Sequence, residues 1–399
     1  MTRLCAKYGL AWYASCQKFK TEGADSMGEA VFLKSEETHG IRADVARLIL
    51  DRERVSKAEI VEELGLSRPT VINVLASLLG AGVVEESGAY ASTGGRRART
   101  VSPNPAYRSF GGIDITANHI ALVVVDWAGG VVAKVRKRLA FENKASYFDS
   151  LARAFSSFVR QLGLKGGPLE CVGVSLPGIL SEDHRTLVRS HALRVECLDL
   201  SAIASRLRGF EVDFENDANA AEIAERPSLR GNSTFLSLSN TVGGSIAFGR
   251  TTYLGDNRRA GEFGHMVLHP NGRRCYCGKR GCADAYLSAL RLAENASSIE
   301  DFFARLESGE RKMLKAWNAY LDDLAVLVSN LRMAYDCEVV IGGYVGALME
   351  PHLVELRERA AALDLFGDDS SWIRVSRCGR EASAVGVALM MRDALVARL

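Results

Sequence analysis

At 399 residues, with 47 % hydrophobic and 25 % charged side chains, the chain has the composition of a globular protein of two or three domains. A formal net charge of +2 excludes a uniformly basic nucleic-acid binder, and no apolar run is long enough to span a membrane. No signal-peptide pattern is visible, so we expect a cytoplasmic protein, in which nine cysteines argue against a disulfide framework.

The first regular structure is expected after residues 1–40, which show no sustained hydrophobic period. We interpret them as an N-terminal arm, or as an upstream start with the true one nearer Met27. A helix is predicted from Ile41, where apolar residues recur at helical spacing. A second helix follows the capping-box residues Ser56 and Glu59, and Ser67 is placed to cap a third.

A short hairpin with its turn at Gly88 is predicted after the third helix. Three helices and a hairpin, with a short turn before the third helix, predict a winged helix-turn-helix domain over residues 41–91. Residues 92–109 contain glycines and prolines and are interpreted as a flexible linker.

The third helix is expected to contact double-stranded DNA. Its polar residues lie opposite the apolar stripe, and short polar side chains with an arginine at a helix N-terminus suit base edges and phosphates in a major groove. Arginines of the linker are placed to enter an adjacent minor groove. The alternatives are an ordinary solvated helix face and a merely soluble linker. The expected DNA contacts are Arg68, Thr70, Asn73, Ser77, Arg96 and Arg97.

Beyond Phe110 the pattern changes to β-branched strands alternating with helices, which predicts an α/β fold. The pattern occurs twice, and we expect two lobes with a cleft between them. The predicted N-lobe covers residues 110–225, and the predicted C-lobe covers residues 226–380. The final helix, within residues 381–399, is expected to pack on the N-lobe.

The strongest chemical motif is His265 followed by Cys275, Cys277 and Cys282. One imidazole and three thiolates fill a tetrahedral zinc shell and leave no open position, so the motif predicts one structural Zn²⁺. The alternative is three buried cysteines without a metal.

Polar residues near this motif are candidates for binding a sugar. Asn216 and Asp217 follow a predicted strand, Glu262 precedes the histidine by three residues, and Asp284 follows the last cysteine by two. Amide, carboxylate and imidazole groups in a cleft are able to hydrogen-bond sugar hydroxyls. Each acid taken singly is also compatible with a helix cap or a solvated surface charge.

The segment GEFGH at residues 261–265, followed by CYCGKRGCAD at residues 275–284, resembles the signature of the ROK family of repressors and sugar kinases. The resemblance extends over residues 41–399. It implies an actin/hexokinase-like fold, and family repressors carry a DNA-binding module in this position whereas family kinases lack it. By position it implies a sugar-binding set of Gly178, Asn216, Asp217, Glu262, His265 and Asp284, with the residue at position 217 acting as the general base in the kinases.

The sequence departs from the family kinases at both phosphate loops. Residues 114–118 read DITAN where the kinases have Asp-x-Gly-Gly-Thr, and residues 241–245 read TVGGS where they have Gly-x-Gly-x-Gly. Side chains then occupy the space in which backbone amides would approach phosphate. The usual glutamate after the zinc cysteines is Asp284, one methylene shorter.

The function predicted from these observations is a non-enzymatic, sugar-responsive regulator of transcription, expected to repress sugar-related genes. Its expected partners are an operator, a sugar effector and a second copy of the chain, in a dimer or tetramer. Two alternatives are an active sugar kinase that also binds DNA, with Asp217 as base, and a regulator controlled by a partner protein.

Overall fold

The computed structural model describes residues 40–89, 99–163, 167–229, 231–367 and 369–399. An N-terminal unit of three helices and a small sheet precedes two α/β lobes.

The N-terminal unit is a winged helix-turn-helix. Ser56 and Glu59 form both hydrogen bonds of a capping box, and the Ser67 hydroxyl accepts a hydrogen bond from the Thr70 amide. The sheet is antiparallel, in the order β1-β3-β2. The elements are α1 (Ile41–Arg52), β1 (Val55–Ser56), α2 (Lys57–Leu64), α3 (Arg68–Gly80), β2 (Val84–Ala89) and β3 (Arg99–Pro103).

The second strand of the wing corrects the predicted boundary of this unit. β3 lies within the expected linker, pairs with both other strands, and buries Val101 in the core. The predicted hairpin turn at Gly88 is wrong, because Gly88 lies inside β2, beside a register shift. The apolar side chain of Val101 has its partners in the helices, so burial keeps β3 in the winged unit.

The winged unit is packed against the lobes, contrary to the flexible joint that the glycines suggested. One cluster of buried side chains joins Ile49 and Val101 of the winged unit to Phe110 and Trp127. The Trp127 ring contacts the ring of Tyr107 in the predicted linker at 5.0 Å between centroids. Burial of this apolar surface fixes the position of the winged unit.

The N-lobe is built on a five-stranded mixed sheet in the order β11-β7-β4-β5-β6. One long helix packs on the sheet through Phe148 and Phe155, and a small antiparallel sheet follows β7. The elements are β4 (Ser109–Ile115), β5 (His119–Asp126), β6 (Val131–Arg138), α4 (Ala145–Leu162), β7 (Leu169–Leu176), β8 (Ile179–Leu180), β9 (Thr186–Ser190), β10 (Val195–Asp199), α5 (Ser201–Ala204) and β11 (Glu211–Asn216).

The C-lobe repeats this plan with the strand order β14-β13-β12-β15-β16. The helix α6 (Asp217–Glu225) connects the two sheets. The strands are β12 (Ser233–Leu238), β13 (Val242–Phe248), β14 (Thr251–Thr252), β15 (Glu338–Gly342) and β16 (Ile373–Val375). The helices are α7 (Asp284–Leu287), α8 (Ala289–Ala293), α9 (Ile299–Glu307), α10 (Arg311–Tyr335), α11 (Gly343–Gly346) and α12 (Leu353–Ala361).

The last helix, α13 (Ala382–Val396), packs on α6 and on the N-lobe sheet. Glycines make this approach close. A Cβ atom at Gly386 would lie 1.6 Å from the carbonyl oxygen of Ala220, and one at Gly112 would lie 1.9 Å from that of Ala384. The helix that ends the chain therefore holds α6 in place behind the cleft.

Replacing Gly386 by alanine is expected to destabilise the protein by about 3 kcal/mol, because overpacking against a backbone carbonyl outweighs the helix-propensity gain of about 1 kcal/mol. The measurement is urea unfolding. Gly231→Ala is the control, since its new methyl group meets no atom within 4 Å. Equal unfolding free energies for the two variants would contradict the packing described.

Candidate functional site

The cleft is built where β11 ends and α6 begins. The Asn216 side chain accepts hydrogen bonds from the amides of Ala218 and Asn219 at 2.9 and 3.1 Å, and so caps α6. Its Nδ2 donates to the carbonyl oxygen of Gly178 at 2.8 Å. The predicted residues Asn216 and Gly178 therefore lie together, and the amide also fixes the turn after β7.

Gly178 adopts a conformation that favours glycine. Its φ is +135°, and a Cβ atom there would lie 2.3 Å from the carbonyl oxygen of Arg189. The turn thus passes directly against β9, with its carbonyl held by Asn216. Asn216 and β9 therefore fix the position of this turn beside the predicted cleft residues.

Two acidic side chains meet beside this turn. Asp114, at the end of β4, is buried and accepts a 2.6 Å hydrogen bond from the Ser175 hydroxyl. Burial raises the pKa of Asp114 above its usual range. The pKa of Asp217 is raised to about 7, mainly by burial and secondly by the nearby carboxylate of Asp114. Asp114 and Asp217 therefore bind a proton at pH values at which a surface aspartate is ionised.

The raised pKa of Asp217 predicts a pH-dependent stability. Between about pH 4 and pH 7 the folded chain binds a proton at Asp217 that the unfolded chain has released. Stability therefore falls as the pH rises through this window and is lowest above it. At pH 8 we expect Asp217→Asn to raise the free energy of unfolding by about 2 kcal/mol, and at pH 4 to leave it unchanged.

The measurement is urea unfolding of both proteins at pH 4 and pH 8, with Asp256→Asn as a control at an exposed position. A gain for Asp217→Asn that is the same at both pH values would contradict ionisation of Asp217 as its cause.

The remaining predicted cleft residues lie in the C-lobe. Glu262 precedes a short 3₁₀ turn, Phe263–His265, and its carboxylate lies 3.9 Å from His265 Nε2. Burial raises the pKa of Glu262 and raises that of Asp284 to about 6. Asp284 accepts a 2.7 Å hydrogen bond from the Val242 amide, so this side chain also anchors the start of β13.

The predicted metal ligands form one compact group. The ligand atoms of His265, Cys275, Cys277 and Cys282 all lie within 4.8 Å of one another. Cys277 Sγ lies 3.7 Å from Cys282 Sγ, and Cys275 Sγ lies 3.9 Å from His265 Nδ1. Ligands of a tetrahedral zinc site are about 3.8 Å apart when Zn–S is about 2.3 Å, so the group fits this metal.

We call the segment that carries the predicted metal ligands, residues 265–282, the metal loop. Its backbone forms two antiparallel bridges, Val267 with Cys282 and Arg274 with Arg280. Gly281 has a φ of +83°, and a Cβ atom there would lie 1.9 Å from the carbonyl oxygen of His269. A larger residue at this position would open the loop.

His265 joins the metal group to the cleft. Its Nδ1 faces Cys275, and its Nε2 lies near the Glu262 carboxylate and 3.4 Å from the hydroxyl of Tyr276. A metal bound at Nδ1 would leave Nε2–H as a donor toward the cleft. Tyr276 was missed by the sequence reasoning, although its place between two cysteines gave a signal.

The exposed face of α3 includes Arg68, Asn73 and Ser77, as predicted. Thr70 is half-buried, and its hydroxyl lies 2.7 Å from that of Ser67, within the cap. Ile72, which sequence reasoning missed, is 51 % exposed on the same face. Arg96 and Arg97 lie outside the described residues.

Comparison with known proteins identifies the family. The model of the ROK family matches residues 110–394, which is more than half of the chain. The chain belongs to the ROK family. Its lobes, its cleft residues and its His-Cys group thus lie within the matched region, as the GEFGH and CYCGKRGCAD segments predicted.

Relatives of this ROK protein include a repressor and a kinase. It is 24 % identical to the xylose repressor of Bacillus subtilis over 359 residues, covering 86 % of this chain and 93 % of the relative. It is 27 % identical to N-acetylgalactosamine kinase AgaK of a Shewanella species over 301 residues, covering 70 % and 95 %.

A solved ROK family transcriptional regulator, a homologue of the Escherichia coli MLC protein, has the same fold. The two structures superpose with a TM-score of 0.71 at 17 % identity, covering 90 % of this chain and 98 % of the other. The predicted two-lobed α/β architecture with an N-terminal winged unit is confirmed. Among the helices described, none is both long and apolar enough to cross a membrane.

Proposed function

We propose that this ROK protein is a DNA-binding repressor whose kinase-like lobes bind a sugar as effector. The observation that carries the proposal is a winged helix-turn-helix packed directly on the lobes, with a polar face of α3 exposed. The match to the xylose repressor covers 86 % of the chain, more than residues 110–399 make up, so it includes part of this unit. The match to the kinase covers 70 %.

The proposed ligand is a sugar that the cleft residues hydrogen-bond. We also propose an oligomer, which would place two winged units on one double-stranded operator. A sugar changes operator binding only if it binds the DNA-bound and free arrangements with different affinity. We assign the direct contacts to Asp217, Glu262, His265 and Asp284, with Asn216 and Gly178 forming the edge of the site.

We further propose that the His-Cys group holds one structural Zn²⁺. Four protein ligands would complete its shell, so the ion would stabilise the loop and orient His265 without acting on a substrate.

Phosphoryl transfer is not part of the proposal. The hydroxyl of Thr116 bonds to the amide and carbonyl of His119, which closes the first turn on itself. Gly243 and Gly244 lie inside the regular strand β13, and a Cβ atom at Gly244 would meet the Phe263 ring at 2.2 Å. Packing against Phe263 accounts for glycine at position 244, and Gly243, in the same strand, pairs with Ser237 of β12.

One observation favours the alternative of an active kinase. With a pKa of about 7, Asp217 has the proton affinity of a general base working near neutral pH.

Two assays on the purified chain separate these functions. In a coupled ATPase assay with D-xylose, D-glucose and N-acetyl-D-galactosamine we expect no sugar-dependent turnover. In a thermal-shift series with the same sugars we expect a raised melting temperature for at least one, because a ligand of the folded state stabilises it. Turnover of about 1 s⁻¹ or faster, abolished by Asp217→Asn, would establish the kinase instead.

A further inference from the structure

Two aromatic rings are in contact between the lobes, one from each lobe. His191 lies in the turn between β9 and β10 of the N-lobe, and Tyr276 lies in the metal loop of the C-lobe. Their ring centroids are 5.2 Å apart with an interplanar angle of 53°. Both residues are exposed, with 48 % of the Tyr276 surface accessible. The contact is therefore a surface bridge between the lobes and not part of either core.

The Tyr276 ring also contacts His265, one of the predicted cleft residues. Its centroid lies 5.4 Å from that of His265, and its hydroxyl lies 3.4 Å from His265 Nε2. The phenol thus points into the group of polar side chains assigned to the sugar.

We propose that Tyr276 and His191 form an aromatic clamp that contacts the bound sugar and determines which sugars are accepted. The proposal rests on the sugar-binding function above. Aromatic rings offer an apolar face to the C–H face of a pyranose, and the phenol adds a hydrogen-bond partner for one hydroxyl or acetamido group. Because the two rings belong to different lobes, a ligand that contacts both rings also holds the lobes together.

The test is calorimetric titration of four sugars, D-xylose, D-glucose, N-acetyl-D-galactosamine and N-acetyl-D-mannosamine, into the wild type and three variants. Tyr276→Phe is expected to weaken the preferred sugar by roughly threefold to tenfold through loss of one hydrogen bond. Tyr276→Ala and His191→Ala are expected to weaken it by more than about tenfold and to change the order of preference.

Tyr253→Ala is the matched control, since Tyr253 is also 48 % exposed and lies beside Phe248 in the C-lobe. Metal content and melting temperature are measured for every variant. His191→Ala changes no residue of the metal loop, so it tests the clamp even if Tyr276→Ala fails to fold. Unchanged affinities and order of preference in Tyr276→Phe and His191→Ala would overturn the clamp. No binding of any sugar by the wild type would instead overturn the proposed function.

A different observation connects the cleft to the winged unit. α6 begins at the cleft and carries Glu222, which is 1 % exposed and holds Arg226 through hydrogen bonds of 2.5 to 3.0 Å. Arg226 donates a 2.6 Å hydrogen bond to the carbonyl of Arg250. The Arg250 guanidinium bridges Asp51 of α1 at 2.7 Å and Asp393 of α13 at 2.8 Å.

The buried pair of Glu222 and Arg226 is costly to separate, so movement of α6 displaces Arg226 with it. Arg226 holds the backbone of Arg250, whose side chain binds the last turn of α1. α1 in turn packs against α3, which carries the exposed polar face. Each step is a direct contact between the end of the cleft helix and the DNA-binding unit.

We infer that Arg250 couples ligand binding in the cleft to the position of the winged unit. This inference also rests on the proposed function. Arg250→Gln is expected to leave sugar affinity within about twofold of the wild type while reducing the sugar-induced change in DNA affinity by roughly threefold or more.

The measurement uses fluorescence anisotropy with the tightest duplex that the wild type selects from a random-sequence pool, with and without each of the four sugars. Arg153→Ala, in the N-lobe, is the control. An unchanged sugar response in Arg250→Gln would overturn the coupling role. Absence of any sugar response in the wild type would overturn the proposed function itself.

Discussion

Replacing Cys277 by serine is expected to reduce bound zinc from one ion per chain to a small fraction of that and to lower sugar affinity by about tenfold or more. Cys277 Sγ lies 3.7 Å from Cys282 Sγ and also interacts with Cys275 and the Lys279 backbone, all within the same loop. With the ion absent, the loop keeps its backbone hydrogen bonds but loses the bonds to the metal, and His265 loses the ion that would orient its ring.

The effect on the sugar follows from the two nitrogens of His265. Nδ1 faces the thiolates and Nε2 faces the cleft, so one ring belongs to both sites. Metal analysis of untagged protein measures the loss of zinc, thermal shift measures the loss of stability, and sugar titration measures the loss of sugar affinity. Cys197→Ser, at an exposed position on β10, is the control. Wild-type protein purified without zinc would refute the site, and normal sugar affinity in a verified zinc-free variant would refute the coupling.

Arg68→Ala and Asn73→Ala are each expected to weaken binding of the selected duplex by about 1–3 kcal/mol, or roughly fivefold to 150-fold at fixed salt. Both side chains are exposed on α3, which the Ser67 cap and the buried residues Val71, Leu75 and Leu78 hold in place. If Arg68 also contacts a phosphate, its loss should reduce the slope of log affinity against log salt concentration by about one.

Anisotropy titrations at several salt concentrations measure both effects, with Arg153→Ala as the control for removal of a distant arginine. Wild-type affinity in both α3 variants would show that α3 is not the DNA-reading helix.

Local sequence patterns predicted much of the fold. The capping box at Ser56 and Glu59 and the cap at Ser67 are complete within four residues, so they were readable from sequence. The second wing strand was not, because β3 follows nine residues after β2 ends and its burial of Val101 depends on three helices.

The candidate site shows the same division. The four candidate metal ligands were predicted from their residue types and spacing, and the structure brings their ligand atoms together. The contact of His191 with Tyr276, the bond from the Val242 amide to Asp284, and the raised pKa of Asp217 all join residues distant in sequence. Such contacts follow from the packing of the two lobes, which no local pattern specifies.

The most direct test of the account is the mutual effect of sugar and DNA on each other's binding. The affinity for the selected duplex is measured with and without each sugar, and the affinity for each sugar is measured with and without the duplex. We expect at least one sugar to change duplex affinity by about fivefold or more, with the same factor in the reciprocal titration. Duplex affinity that is unchanged by every sugar the protein binds would contradict the account.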